Sequence, residues 1–516
     1  MSTRGMIAAS QPLATQAGLT VLQAGGNAMD AAIAASAVLC VAEPQATGIG
    51  GDCFLLYREA KTGKLHGLNG SGRAPARATL EEFERRGLMQ VPEFGILSTI
   101  VPGAVDAWQT ALERFGTRSL EELLQPAIAF AEDGYAVTPV VAKAWHNNAA
   151  VLAPHAESRR DFLVDGRAPM AGTVHRQPRL AQSLRQLARG GREAFYRGAI
   201  AEEIVRFSRA HDGLLELEDF AGYRSEWVEP ISTDYRGVRV YEIPPNGQGI
   251  TALMTLNILE QADLRGMARL SAEHLHLLIE AFKLATAERD EYVADPSFNE
   301  LPVEAMLSKA FAAKQYARID PKQAARFPVA PAARAHRDTV YLSVVDRDRN
   351  AVSFINSLYY PFGSGMVAGD TGIMLQNRGA GFVLERGHFN CIAPRKRPLH
   401  TIIPAMAYRG DDLLSFGVMG GEYQAMGHAY LLTNWLDFGF DLQEAIDAPR
   451  FLPGDGVVAL ERPVPDAVLK ELQRRGHAVG RTELALGGAQ AIYIDAKNGV
   501  LSAGSDPRKD GCALGY

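Results

Sequence analysis

The 516-residue sequence predicts a mixed α/β protein that folds as one globular unit. Three patterns indicate this fold class: apolar or amphipathic helical segments, a β-rich hairpin within residues 338–365, and strands alternating with helices in the last third of the chain. Glycine and proline are dispersed, and no repeat or linker divides the sequence. We therefore expect the helices and strands to form one intertwined unit.

The first part of the chain is predicted to be mainly helical. Ser10 is a suitable N-cap for a first amphipathic helix, and Asn27 for a second helix over residues 28–41. This second helix is apolar on almost every side and must be buried. Further helical patterns cover residues 120–133, 179–188 and 272–292.

The hairpin DTVYLSVVDRDRNAVSFINSLYYPFGSG is the most informative segment. TVYLSVV and AVSFINS are β-rich and flank the polar turn DRDRN. Pairing Val345 with Ala351 fixes the register and places Ser357 opposite Thr339, at a Cβ separation of about 4.5–5.5 Å. We therefore expect the two hydroxyl groups to lie within hydrogen-bonding distance.

Two other segments are predicted from local chemistry. RVYEIP reads as a strand, and QAIYIDAKNGVLSAGS as a hairpin that turns at Lys497, Asn498 and Gly499. The glycine-rich GIGGD at residues 48–52 matches neither GxGxxG nor the P-loop. Tight packing is the better interpretation of that segment.

Composition restricts the class of protein. A net charge of -6 argues against nucleic-acid binding, which depends on basic surfaces. The N-terminal MSTRGMIAAS shows no signal sequence, and the apolar stretch 28–41 is too short to span a bilayer. The four cysteines have no paired spacing, which indicates a reducing compartment; they are Cys40, Cys53, Cys391 and Cys512. We expect a cytoplasmic protein without membrane partners.

Thr339 is a candidate nucleophile. A threonine at the start of a strand usually reflects only β propensity. If the chain were cut before Thr339, however, this residue would carry both a hydroxyl and a free α-amine. The pKa of an α-amine is about 7.7–8.0, so one residue would supply nucleophile and general base.

Other chemistries have weaker support. His274, His276 and Glu280 form the best metal constellation, but HExxH is absent and ordinary helical polar residues are the simpler interpretation. No GxSxG motif indicates a serine hydrolase. The sequence predicts neither a metal nor a cofactor.

The ordered set of motifs resembles the γ-glutamyltranspeptidases, members of the N-terminal-nucleophile hydrolases. The resemblance covers nearly the whole chain, and its fixed order makes it specific. The motifs are GMIAASQPLATQAGLTVLQAGGNAMDAAIAASAVLCVAEPQATGIGGD, VPGAVDAWQTALERFGT, HLHLLIEAFKLATAERDEYVADP, the Thr339 hairpin, KRPLHTIIPAM, GVMGGEYQAMGH and GSDPRKDG.

The resemblance implies a four-layer αββα sandwich with additional helices. It implies self-cleavage between Asp338 and Thr339 into a large fragment, 1–338, and a small fragment, 339–516. The glycine pair Gly420 and Gly421 would hold the oxyanion, because glycine lets the backbone approach closely. Ser357 stands where the family usually has a second threonine, and serine keeps the hydroxyl.

The sequence departs from the family where the acyl group should bind. Ser71 aligns with the arginine that grips the α-carboxylate, and Tyr359 aligns with an asparagine. Arg378 and Gly381 align with a glutamine and with the aspartate that binds the ammonium group. Glycine cannot pair with an ammonium, whereas arginine repels it and binds carboxylates.

Another departure is the pair His400 and Thr401, which replaces two serines. Thr401 can still hydrogen-bond substrate, and His400 is equally consistent with a structural histidine. Arg73 lies two positions after Ser71 and adds a second positive charge. The candidate substrate-binding residues are Arg378, Arg73, Ser71, Tyr359, Asn377, His400 and Thr401.

The leading functional hypothesis is a γ-glutamyltransferase or glutathione-hydrolase-like enzyme that forms an acyl-enzyme on Thr339. The first alternative is an amidohydrolase specialised for a small carboxylate-bearing amide, such as an oxamate, succinyl or glutaryl amide. A non-catalytic binding protein on the same fold is the second. The expected partners are a small-molecule amide and the two fragments of one precursor, with a homodimer of processed heterodimers possible.

Overall fold

A computed structural model describes residues 1–325, 339–454 and 456–516. Asp338, on the N-terminal side of the predicted cleavage site, lies outside the described residues. The strands, in chain order, are β1 (Met6–Ala9), β2 (Asp52–Arg58), β3 (Leu65–Gly70), β4 (Tyr135–Ala136), β5 (Val174–His175), β6 (Glu226–Val228), β7 (Ile231–Tyr235), β8 (Val238–Glu242), β9 (Val340–Val345), β10 (Ala351–Ser357), β11 (Ala405–Arg409), β12 (Asp412–Met419), β13 (Phe451–Gly454), β14 (Val457–Leu460), β15 (Val479–Arg481), β16 (Gly488–Asp495), β17 (Val500–Ser505) and β18 (Cys512–Gly515).

Helices lie between these strands along the chain. They are α1 (Pro12–Gln23), α2 (Ala28–Ala42), α3 (Leu80–Arg85), α4 (Ala104–Phe115), α5 (Leu120–Leu123), α6 (Gln125–Asp133), α7 (Pro139–Leu152), α8 (Ala156–Phe162), α9 (Pro178–Tyr196), α10 (Ala199–Ala210), α11 (Leu217–Ala221), α12 (Gly249–Leu259), α13 (Ala272–Tyr292), α14 (Val303–Leu307), α15 (Lys309–Tyr316), α16 (Tyr423–Leu436), α17 (Leu442–Asp447) and α18 (Asp466–Arg474).

Two large sheets form the centre of the molecule. The first has seven strands in the order β18-β1-β9-β10-β2-β3-β6, and the second has six in the order β17-β16-β12-β11-β8-β7. Neighbouring strands in both sheets are antiparallel. Smaller sheets are formed by β13-β14-β15 and by β4-β5.

The two sheets pack face to face and carry helices on their outer faces. Strand β9 shows why: Val340, Leu342 and Val344 belong to the core that includes α2, whereas Tyr341 and Val345 belong to the core shared with the second sheet. This alternation follows from the two-residue period of a strand. Helices α12 and α16 cover the second sheet. The arrangement is the four-layer αββα sandwich that the resemblance implied.

The predicted helices occur at the expected positions in the sequence, but some of their ends differ from the prediction. Gln11, and not Ser10, is the N-cap of α1, because its side chain accepts from the backbone N–H of Leu13 and Ala14. Asn27 caps α2 in a capping box with Asp30, and α13 has the predicted bounds.

Two helices differ from the pattern. The predicted helix 120–133 is two helices, α5 and α6, that meet at Leu124. The predicted helix 179–188 extends to Tyr196, but Gly191 interrupts it at φ 55°, a conformation that favours glycine.

The four cysteines all carry free thiols. Among the described residues, no helix combines the length and apolar character needed to cross a bilayer. The cytoplasmic location stays a prediction.

The contact between the two sheets leads to a first testable prediction. A Cβ added at Gly417 on β12 would lie 2.3 Å from a ring carbon of Tyr341 on β9. Tyr341 is fully buried, so Gly417→Ala must displace it. We expect this substitution to lower the free energy of unfolding by about 1–3 kcal/mol, as overpacking typically does.

The midpoint of urea unfolding measures this effect. Gly480→Ala is the matched control, because a Cβ there meets its nearest atom at 3.6 Å, an ordinary contact. Equal midpoints for the two variants would contradict the proposed packing constraint.

Candidate active site

Thr339 immediately precedes β9, and its side chain contacts the end of β10. The register is as predicted, since Val345 pairs with Ala351 and Val340 pairs with Asn356. Thr339 Oγ1 and Ser357 Oγ are 3.0 Å apart, and both residues are buried. The hairpin therefore brings the candidate nucleophile and its hydroxyl partner together.

Tyr359 fixes the orientation of Ser357. Its backbone N–H donates to Ser357 Oγ at 2.9 Å. Tyr359 has a φ of 86°, which is unusual for a bulky residue and costs about 1–3 kcal/mol. Such strain concentrates at functional sites, and here it turns an N–H group towards the hydroxyl that contacts Thr339.

Gly420 and Gly421 lie between the end of β12 and the start of α16. Their φ values are 122° and 59°, in the region that favours glycine. A Cβ at Gly420 would lie 2.8 Å from Gly487 Cα, so the position also requires a close backbone approach. The N-terminus of a helix favours negative charge, which suits an oxyanion.

Contacts between the sheets indicate where the glycine pair lies relative to the nucleophile. Ser343 Oγ on β9 hydrogen-bonds Ser415 Oγ on β12 at 2.6 Å. Tyr341, two residues earlier on β9, faces Gly417, two residues later on β12. If the same spacing continues by one more step, Thr339 faces Met419, the residue that precedes Gly420. On this basis we expect the predicted oxyanion donors to lie close to the nucleophile.

Arg378 is a fully buried arginine beside the nucleophile hairpin. Its Nη1 donates to Thr401 Oγ1 at 2.8 Å, and its guanidinium carbon lies 3.9 Å from the centre of the Tyr359 ring. Tyr359 in turn stacks on Tyr360 at 4.5 Å. Arg378, Thr401 and Tyr359 therefore form one connected group.

Arg73 has a different environment. It contacts Glu226 at 2.7 Å and Asp295 at 3.6 Å, and it donates to the backbone carbonyl of Arg395 at 2.9 Å. Its charge is therefore balanced by two carboxylates. Of the two candidate arginines, Arg378 is the one connected to the nucleophile hairpin.

Ser71 and Asn377 brace the loops of the site. Ser71 Oγ accepts from Asn246 Nδ2 at 3.1 Å. Asn377 Oδ1 accepts from the backbone N–H of Tyr360 at 3.1 Å, and its Nδ2 donates to the carbonyl of Glu93 at 2.6 Å. Both side chains are buried and hold backbone segments in place.

His400 is buried against Asp52, with His400 Nε2 and Asp52 Oδ2 2.9 Å apart. Burial and the nearby charge of Arg378 lower the pKa of His400 to about 4, so the ring is neutral at pH 7. This environment agrees with a structural histidine. Asp52 was not predicted to belong to the site, because GIGGD suggested only tight packing.

Gln248 was also missed by the sequence analysis. Its Nε2 donates to the carbonyls of Thr401 and Gly421, at 2.7 and 2.9 Å. One amide therefore connects the Arg378 group with the glycine pair. The only signal in the sequence was its position at the end of PPNGQG, a turn without a recognised motif.

The candidate metal set has a different composition in the structure. His276 and Glu280 are joined by His477, and His274 belongs to another contact network. His276 Nδ1 and His477 Nε2 are 2.8 Å apart, and Lys283 Nζ donates to Glu280 Oε1 at 2.7 Å. These ring and carboxylate atoms thus already contact one another or an ammonium group.

The αββα fold and a threonine beside the central hairpin define the class as an N-terminal-nucleophile hydrolase. A family model described as gamma-glutamyltranspeptidase matches residues 14–516. The chain therefore belongs to the γ-glutamyltranspeptidase family.

Similar proteins in this family have diverse names. The glutathione hydrolase-like YwrD proenzyme of Bacillus subtilis strain 168 is 40% identical over 100% of this chain and 99% of that protein. The oxamate amidohydrolase proenzyme of Klebsiella pneumoniae is 35% identical over 100% of this chain and 99% of that protein. The crystal structure of cephalosporin acylase from Bacillus halodurans matches with a TM-score of 0.92 at 43% identity, over 100% of this chain and 96% of that one.

The Thr339–Ser357 contact leads to a second prediction. Ser357→Ala removes one hydroxyl and little volume, so the protein should fold normally. We expect processing and kcat to fall about twofold to twelvefold, the effect of one hydrogen bond of about 0.5–1.5 kcal/mol. Single-turnover kinetics and the rate of precursor cleavage measure the effect.

Ser353→Ala is the matched control on the same strand. Ser353 Oγ lies 2.7 Å from Tyr341 Oη, a hydroxyl pair of the same kind within the inter-sheet core. Removing the Ser353 hydroxyl should lower the free energy of unfolding without slowing precursor cleavage or substrate turnover. Equal kinetics for wild type and Ser357→Ala would show that the contact with Thr339 is idle.

Proposed function

We propose that this protein is a self-processing amidohydrolase that prefers acyl groups carrying a carboxylate without an α-amine. This is the first alternative of the sequence analysis, and the geometry favours it over a γ-glutamyl enzyme. The observation that carries the proposal is the buried Arg378, linked through Tyr359 and Ser357 to Thr339.

The charge of the pocket supports this preference. A guanidinium binds a carboxylate through two parallel hydrogen bonds and repels an ammonium. The position that would hold the ammonium partner is Gly381, which has no side chain. Arg378 is held by Thr401 and Tyr359, so its orientation is fixed before substrate binds.

The chain itself supplies the nucleophile, the general base and the oxyanion donors for this reaction. After cleavage, the Thr339 α-amine takes the hydroxyl proton while Oγ1 attacks the amide carbonyl. The N–H groups of Gly420 and Gly421 stabilise the resulting oxyanion. The C–N bond then breaks, and the leaving amine takes the proton from the α-ammonium. Water, deprotonated by the same amine, then attacks the ester carbonyl. The C–O bond to Thr339 Oγ1 breaks, Oγ1 takes the proton back from the α-ammonium, and the acid is released.

A glutathione-hydrolase-like activity is the second candidate. The 40% identity to the glutathione hydrolase-like YwrD proenzyme favours it. The names oxamate amidohydrolase and cephalosporin acylase among similar proteins support the first candidate instead. The Thr339–Ser357 contact argues against a non-catalytic binding protein.

We propose that residues 1–338 and 339–516 stay together as two fragments of one unit. Both parts contribute strands to each large sheet, as β1 pairs with β9 and β8 pairs with β11. A homodimer of these units is a further proposal. A cytoplasmic location is another, and it fits the free cysteines.

Cleavage before Thr339 is the third prediction. Purified protein should run as two fragments, and N-terminal sequencing of the smaller one should begin TVYLSVVD. Thr339→Ala should remain one chain, because the hydroxyl that attacks the preceding carbonyl is absent. Full activity in intact wild-type protein would refute the mechanism.

Substrate charge is the fourth prediction. We expect kcat/KM for a glutaryl anilide to exceed that for a γ-glutamyl anilide by about tenfold or more, because an unpaired ammonium beside a guanidinium is costly. Arg378→Ala should remove most of this preference. Parallel kinetics with both anilides provide the measurement.

Arg73→Ala is the comparison variant. In the wild type, Glu226 and Asp295 balance the charge of Arg73. Arg73→Ala should therefore change the ratio of kcat/KM for the glutaryl anilide to that for the γ-glutamyl anilide less than Arg378→Ala does. If the γ-glutamyl anilide is the better substrate and Arg378→Ala leaves the ratio unchanged, the glutathione-hydrolase-like candidate stands.

A further inference from the structure

Asp52 is a fully buried carboxylate at the centre of several loops that form the site. Its Oδ1 accepts from the backbone N–H of Gly72 at 2.9 Å and of Gly103 at 3.2 Å, and from Gln376 Nε2 at 2.8 Å. Its Oδ2 lies 2.9 Å from His400 Nε2. A buried carboxylate needs such hydrogen bonds to offset its desolvation.

These contacts lead towards Arg378 along two routes. Gln376 lies two residues before Arg378, so the first contact anchors the segment that carries the arginine. His400 immediately precedes Thr401, whose Oγ1 accepts from Arg378 Nη1. Asp52 thus holds both the backbone that bears the guanidinium and the backbone that bears its hydroxyl partner.

The register of the first sheet explains why Asp52 occupies this place. Asp52 is the first residue of β2 and pairs with Ser357, the last residue of β10. Ser357 in turn contacts Thr339. The nucleophile, its hydroxyl partner and the carboxylate therefore follow one another across three adjacent strands.

The tautomer of His400 is defined by its neighbours. His400 Nδ1 accepts from the backbone N–H of Ile402 at 3.3 Å, which puts the ring proton on Nε2, directed at Asp52. Since burial lowers the pKa of His400 to about 4, a neutral ring donates to the carboxylate throughout the neutral range.

We propose that Asp52 and His400 are a positioning pair that holds Arg378, through Thr401 and Gln376, in the orientation that selects a carboxylate-bearing acyl group. The inference rests on the proposed function and adds the residues that set its specificity. Neither residue is assigned a contact with substrate. Their effect should therefore be on selectivity and KM more than on the chemical step.

A structural pair and a positioning pair predict different results. Loss of a merely structural pair lowers stability and slows all substrates alike. Loss of a positioning pair changes the ratio of kcat/KM for a glutaryl anilide to that for a pentanoyl anilide, which has the same length and no carboxylate. This ratio is the readout.

Asp52→Asn is the first variant. Its amide oxygen can still accept from Gly72, Gly103 and Gln376, but its NH₂ group meets the Nε2–H of His400. The histidine must then adopt the other tautomer, which sets Nδ1–H against the Ile402 N–H. We expect the glutaryl-to-pentanoyl ratio to fall about tenfold, mainly through KM for the glutaryl compound, as for one charged hydrogen bond.

His400 variants test the same contact from the other side. His400→Gln retains an N–H donor near the position of Nε2, so the ratio should stay within about threefold of wild type. His400→Leu removes the donor and should lower the ratio about as much as Asp52→Asn. The wild-type ratio should be constant from about pH 5.5 to 8, because His400 stays neutral there.

Asp437→Asn is the control for loss of a buried carboxylate elsewhere. Asp437 accepts from Tyr235 Oη at 2.6 Å and from Arg236 Nε at 3.1 Å, at the end of α16. This variant should lower the thermal midpoint without changing the ratio.

The outcomes separate the inference from the proposed function. Suppose that Arg378→Ala removes the preference for the glutaryl over the pentanoyl anilide. If the glutaryl-to-pentanoyl ratio of Asp52→Asn and of His400→Leu then stays at the wild-type value, the pair is structural and the inference is wrong. If Arg378→Ala itself leaves the preference intact, the proposed function is wrong. Should Asp52→Asn not fold, the difference between His400→Gln and His400→Leu decides the same question.

Discussion

The register of the β9–β10 hairpin is the constraint on which the site depends. It places Ser357 against Thr339 and, through the next strand, Asp52 beside Ser357. A shift of one residue would turn these side chains to the opposite face of the sheet, into the helix-facing core. Buried apolar residues on both faces of β9 make that shift costly, because each face packs against a different layer. The stability of the sandwich and the alignment of the nucleophile thus have the same origin.

The structure separates the machinery for bond cleavage from the machinery for substrate choice. The nucleophile and its hydroxyl partner lie at strand ends, where two sheets hold them. Arg378 and Thr401 come from segments that follow the hairpin in the chain, and Tyr359, just after β10, connects them to it through side-chain contacts. Such loops can change composition without disturbing the strands. A family can therefore keep one acyl-transfer chemistry while the charge of its pocket changes.

Local patterns in the sequence were sufficient for the parts of the structure that local chemistry determines. The hairpin register follows from alternation and turn position, and the cap at Asn27 follows from side-chain type. The four layers and the glycine pair were expected only through the resemblance. Asp52 could not be found, because its partners are 20, 51, 324 and 348 residues away. Contacts at such separations between loops leave no periodic signal. The break at Leu124 was missed for a different reason: both halves have helical composition, and Pro126, which marks the start of α6, was taken as part of one continuous helix.

The position of β1 has a consequence for how the cut protein can fold. This N-terminal strand lies between β9 and β18, which belong to the opposite side of the proposed cleavage site. Before cleavage, forming that sheet is a unimolecular reaction of one chain. After cleavage the same sheet contains strands from two molecules, so refolding from the separated fragments is a second-order reaction. Association of the fragments also has an entropic cost. Unfolding of the cleaved protein is therefore practically irreversible at low protein concentration. The lifetime of the cleaved enzyme is then set by its unfolding rate more than by its equilibrium stability.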